Sequence, residues 1–170
     1  MPGALIYTGE RHVENVRLEL IQFNPPDIID KHIGLDELPD LHNPEFTTWL
    51  NVVGLHDIDT IQKIGECFNI HNLALEDILN VNQRPTFDEY DDHFFMATKM
   101  FRTSEETIIS EQFSMIVGDN YIITFQEKEG DIFDGVRGRI RNQKGRIRTR
   151  KSDYLAFALL DVIVTTTWPL

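Results

Sequence analysis

Apolar and polar positions alternate along VRLELIQF at 16–23, which puts Val16, Leu18, Leu20 and Gln22 on one face of an extended strand. A short apolar stretch at Ala4–Tyr7 predicts another strand before it. Asn24-Pro25-Pro26-Asp27 is a hard stop that could also cap a following helix. From Ile28 to Leu41 the pattern is weakly helical and is broken by Gly34 and Pro39, predicting a short helix and an irregular link. TTWLNVV at 47–53 predicts a strand buried on both faces.

The period then lengthens. Ile58, Ile61, Ile64 or Gly65, and Phe68 fall on one helical stripe, with Asp57 or Asp59 as the cap. After a turn at Asn69–His71, Leu73–Asn80 predicts a second helix capped by Asn72 and ended by Arg84-Pro85. The texture next returns to strands: Phe87–Tyr90, His93–Phe101, Glu111–Val117 and Tyr121–Phe125, with turns at Thr103–Glu106 and Gly118–Asn120. Strands this closely spaced predict an antiparallel meander. A helix opening at Gly130 or Asp131 and closing near Asn142, a turn at Gly145, and a helix from Ser152 or Asp153 to Thr166 complete the chain. The order predicts an α/β fold, one mixed, largely antiparallel sheet with helices packed on it. TTTWPL ends the sequence abruptly, which suggests a helix cut short or residues missing before that end, so the domain is taken as 1–166 and 167–170 as a separate scrap.

Composition narrows the function. At 170 residues with 41% hydrophobic and 26% charged positions, this is one globular domain. The net charge of −12 disfavours general nucleic-acid binding and suits cationic partners. The single Cys67 leaves no intrachain disulfide and suits a reducing, cytoplasmic setting. The first residues lack a leader pattern, and no stretch reaches the roughly 20 apolar residues that cross a bilayer, so a soluble chain is expected.

Chemistry has few anchors. The six histidines show no zinc spacing, and no nucleophile elbow, dinucleotide fingerprint or P-loop is present, so no enzyme is expected. The tract 137–151 holds eight of the sixteen Lys and Arg residues and no acid. It could form a phosphate or RNA patch, but without interleaved aromatics it reads better as a solvated face paired with local acids. The carboxylates are more informative. Glu76 and Asp77 sit at the margin of the apolar stripe of LALEDIL. Asp161 interrupts LAFALLDVIV, where an ionised carboxylate is costly unless paired, hydrated or metal-bound. Neutralisation of Asp161 by the upstream arginines is the simpler reading, and a metal ligand the alternative.

LEDILNVNQRP at 75–85 followed by FDEYDDHFF, then FQEKEGDIFDGVRGRIRN at 125–142 and GRIRTRKSDYLAFALLDVIV at 145–164, resemble the CorA family of magnesium and cobalt transporters. The resemblance runs from Thr48 to Val164 and, more loosely, to IYTG at 6–9. It implies the cytoplasmic N-terminal domain of a homopentameric channel of the cell inner membrane, with an α/β/α sandwich fold. The stalk, two transmembrane helices and Gly-Met-Asn pore signature that normally follow are not in this sequence. It further implies a regulatory Mg²⁺ or Co²⁺ between subunits, held by Asp77 with Glu76 beside it and by Asp161. A zinc-transporting relative on the same scaffold is the close variant. Asn82 stands where the family often has a histidine, and Asn72 where it has a proline. No nucleic-acid partner is implied.

Overall fold

The computed structural model describes residues 3–167. Seven strands form a single sheet: β1 (Arg17–Phe23), β2 (Ile28–Ile33), β3 (Thr47–Val53), β4 (Thr86–Glu89), β5 (Phe94–Ser104), β6 (Thr107–Val117) and β7 (Tyr121–Gln126). Their order is β2-β1-β3-β7-β6-β5-β4, and every pairing is antiparallel except β3 with β7. Four α-helices, α1 (Ile58–Cys67), α2 (Asn72–Leu79), α3 (Asp134–Arg141) and α4 (Ser152–Thr167), cover its two faces.

Residue alternation along the central strands builds two cores. Leu50 and Val52 of β3, Phe95 and Ala97 of β5, and Ile123 and Phe125 of β7 pack with Ile61 and Ile64 of α1 and with Ala74, Leu75, Ile78 and Leu79 of α2. Trp49 of β3, Phe113 and Met115 of β6, and Ile122 of β7 point the other way, to Val136 and Ile140 of α3 and Leu155, Leu159 and Ile163 of α4. The α/β/α sandwich is therefore as expected, with β3 buried along its whole length. Trp49 Nε1–H donates to Thr124 Oγ1 at 2.9 Å, so the largest core side chain leaves no unmet donor.

Three stretches depart from expectation. Asn24–Asp27 caps no helix: Asn24 N–H donates to Asp27 O at 3.0 Å and Asp27 N–H to Asn24 Oδ1 at 2.7 Å, closing a hairpin. Ile28–Ile33 is thus a strand, β2, and only Leu35–Leu41 is helical, as a 3₁₀ segment that buries Leu38 and Leu41. An edge strand with mostly exposed side chains has no period-2 contrast to read. Leu38 and Leu41, three apart, suit a helix of three residues per turn.

Ala4–Tyr7 forms no strand. It crosses instead toward the end of α2, where Thr8 N–H donates to the Leu79 carbonyl at 3.1 Å and Leu5 and Tyr7 pack on the first core. Alternating burial needs only an extended chain, whereas a strand also needs a free sheet edge. Thr167 continues α4, and the remainder of the segment at 168–170 lies outside the described residues.

Candidate functional site

Helix α2 is short and strongly anchored. Ala74, Leu75, Ile78 and Leu79 are buried, and Glu76 and Asp77 are half-buried at the margin of that face. The cap is His71, not Asn72: His71 Nδ1 accepts from Leu73 N–H at 3.1 Å. Asn72 lies one residue inside, where its side chain donates to the Gly3 carbonyl at 3.2 Å. At the other end, Asn80 N–H donates to the Glu76 and Asp77 carbonyls, and Gln83 Nε2 donates to the carbonyls of Asp77 and Asn80. Asn82 is exposed.

The Asp77 side chain has a different status from its tied-down backbone. Burial raises its carboxyl above the ordinary range, and like charge from Asp88 and then Glu76 raises it further. Asp88 escaped the sequence reading. Its signal was the period of two in TFDE: Asp88 pairs with Phe95, which faces the first core, so Asp88 lies on the α2 side of β4. The Tyr90 phenol is raised too, by burial and then by Asp88 and Asp77. Among the described residues Asp77 makes no salt bridge.

Asp161 is elsewhere. Helix α4 buries Leu155, Ala156, Ala158, Leu159 and Ile163, which leaves Asp161 exposed on the far side, between Phe157 at 65% and Val164 at 57% exposure. The apolar run misled because α4 is apolar on both sides, so Asp161 costs no burial. The expected neutralisation by the upstream arginines does not occur among the described residues. Arg137 pairs with Asp131 at 2.6 Å and Asp134 at 3.1 Å, and its guanidinium lies over the Trp49 ring at 5.0 Å. Arg141 pairs with Asp30. Arg148 is buried, donating to the carbonyls of Asn24, Ile140 and Pro25. The basic tract thus spends three of its cations on the domain itself.

Glu76 and Asp77 are therefore brought together with Asp88, while Asp161 lies in the layer across the sheet. Among the described residues no group of three or more His, Cys, Asp or Glu is arranged to hold a metal. Among them, too, no helix is long and apolar enough to cross a membrane.

Residues 45–170 match the family described as CorA-like Mg²⁺ transporter protein. This chain belongs to that CorA-like family. The cobalt/magnesium transport protein CorA of Thermotoga maritima is 39% identical over 166 residues, 96% of this chain and 47% of that protein. The chain thus spans about half the length of this curated CorA. The soluble domain of CorA from Methanocaldococcus jannaschii superposes with a TM-score of 0.58 at 15% identity, over 86% of this chain and 55% of that one. Full-length CmaX gives 0.69 at 10% identity, over 94% and 48%. At such identities the likeness is one of fold, and it places the mixed sheet with its flanking helices among CorA soluble domains.

Proposed function

We propose that this CorA-like domain is the cytoplasmic regulatory part of a divalent-cation transporter, sensing Mg²⁺, and Co²⁺ in its place, at contacts between subunits. The observation that carries the reading is Asp77. A half-buried carboxylate whose neighbours are Asp88 and Glu76, with no salt bridge among the described residues, is stabilised when a cation arrives from outside the chain.

One chain supplies two separated acidic points, Asp77 with Glu76 on α2 and Asp161 on α4. Each is half a site. A homopentamer completes them by setting each against a carboxylate of the next subunit, across a hydrated ion. Mg²⁺ dehydrates reluctantly and takes one or two carboxylates while keeping several waters, which suits such a bridge. The ion then acts as an effector, favouring the subunit arrangement that closes the pore. A coupling of about 1–3 kcal/mol per ion is enough to bias it. In this reading the membrane is reached through the remainder of the polypeptide, and the transported ion is the substrate, not a resident cofactor.

Thermal melts of the chain in Mg²⁺ or Co²⁺ against EDTA test it, together with sedimentation at high protein concentration. The expected result is an upward shift in Tm and a larger assembled fraction with metal, lost in Asp77→Asn and reduced in Asp161→Asn. A metal shift that survives both substitutions overturns the site assignment.

A further inference from the structure

The α1–α2 turn and the β4–β5 link meet in a stack of three rings. Tyr90 lies between two histidines, 4.5 Å from the His71 centroid at 22° and 5.1 Å from that of His93 at 24°. The His93 side chain is only 1% exposed. Its Nδ1 lies 2.6 Å from Asp92 Oδ1 and its Nε2 lies 3.3 Å from the His71 amide nitrogen. A carboxylate can only accept, and an amide N–H can only donate. The pair fixes the neutral tautomer: Nδ1–H donates to Asp92, and Nε2 accepts from His71 N–H.

The second histidine repeats the arrangement one step along. His71 Nδ1 accepts from Leu73 N–H at 3.1 Å, and the His71 carbonyl takes Ala74 N–H and Leu75 N–H at 3.0 and 3.2 Å. The start of α2 therefore hangs on two imidazole lone pairs in series. An Asn, Asp or Ser cap would accept at any neutral pH. An imidazole nitrogen accepts only while unprotonated, and a proton there turns an acceptor into a donor facing an N–H.

We propose that the His71–Tyr90–His93 stack is an acid-released latch on α2, the helix that carries Glu76 and Asp77. In acid, a proton on Nδ1 of His71 or on Nε2 of His93 replaces the lone pair there. Leu73 N–H and His71 N–H lose their acceptors, and a positive ring then sits at the positive end of the helix. The charged groups lining the cavity beside His93 can take up the arriving charge: Glu89 from the end of β4, Asp91 and Asp92 from the β4–β5 link, Asp119 from the β6–β7 turn and Asp153 from α4, set against Lys151. On α2 itself the acids lie at the other end, beyond the buried Ala74 and Leu75. Release thus loosens the first turn of α2 while the domain core stays intact.

Amide hydrogen exchange by NMR on this chain in EDTA tests the latch without involving metal, so its failure leaves the cation-sensing reading standing, and the reverse. Protection of Leu73 and His71 amides, corrected for intrinsic exchange, is expected to fall about tenfold between pH 7.5 and 5.5, while Ile78 in the same helix keeps its protection. In His71→Asn, whose amide oxygen caps at every pH, Leu73 becomes insensitive to pH and the amide at 71 remains sensitive through His93. The latch is overturned if wild-type Leu73 protection follows intrinsic exchange alone, or if His71→Asn keeps the wild-type pH dependence at Leu73.

Discussion

Leu75 of α2 lies against the bare backbone of Gly65 in α1: a Cβ built on Gly65 would meet Leu75 Cδ1 at 2.5 Å, Cδ2 at 3.0 Å and Cγ at 3.3 Å. Gly65 is buried, and Leu75 is 5% exposed. A mid-helix glycine costs about 1 kcal/mol relative to alanine. Here that cost lets α2 seat closely, and with it the two acids on its margin. Gly65→Ala is expected to destabilise the domain by about 1–2 kcal/mol net, since overpacking of about 1–3 kcal/mol outweighs the gain in helix propensity. Urea denaturation followed by circular dichroism reads this directly, and a stabilised variant would contradict the close approach.

Asp77 is a cost to the domain without metal. Its carboxyl is raised by burial, then by Asp88 and Glu76, so the native state binds more protons than the unfolded chain above the ordinary range near 3.8. Stability from this group therefore falls as the pH rises through its folded-state value and is lowest at neutrality. Asp77→Asn is expected to raise stability in EDTA at pH 7, by about 1 kcal/mol or less because solvent still screens a group that is only half-buried. The same variant should lose the Mg²⁺-dependent rise in Tm. Stabilisation without loss of that rise would separate the electrostatic strain from the site.

Glu111 on β6 has the same sign and the same leading cause, burial, here opposed by hydrogen bonds and not reinforced by like charge. It is 4% exposed, and burial raises its carboxyl although Oε2 accepts from Glu127 N–H at 3.0 Å and Lys128 N–H at 3.1 Å. Its contribution to stability is greater in acid and falls as the pH rises through its folded-state value. Glu111→Gln keeps a carbonyl oxygen for both amides and removes the titration. The slope of stability against pH above the ordinary glutamate range should become more positive in the variant, as measured by melts from pH 5 to 8.

Arg148 separates structure from surface in the basic tract. At 5% exposure it satisfies three carbonyls from two distant segments. Arg148→Ala should cost about 3 kcal/mol or more through carbonyls left unmet. Arg146→Ala, at an exposed position two residues away, should stay within about 0.5 kcal/mol. Equal effects in the two variants would return the tract to a simple solvated face.

Much of the architecture was legible wherever one face of an element is buried and the other is not. The stripe through Ile58, Ile61, Ile64 and Phe68 marks α1, and the alternation from Leu18 to Gln22 marks β1, because burial imposes the period of the element on the chain. Glu76 and Asp77 stood out for the same reason, as charges at the edge of an apolar stripe. The two motifs around them and around Asp161 were enough for the resemblance to CorA.

Contacts between distant segments decided the rest. Whether Ile28–Ile33 is strand or helix depends on whether β1 is there to pair with it, and whether Ala4–Tyr7 is a strand depends on whether a sheet edge is free. Asp161 reads as buried from its neighbours in sequence and is exposed because α4 turns that side away from the sheet. Asp88 comes to face Asp77 only when β4 pairs with β5 in one register, and the amide of His71 finds its acceptor only because His93, twenty-two residues on, folds beneath it. Local pattern reports which side of an element seeks the core. Charge at a site is set by what other elements bring within reach, and a linear pattern carries no record of that.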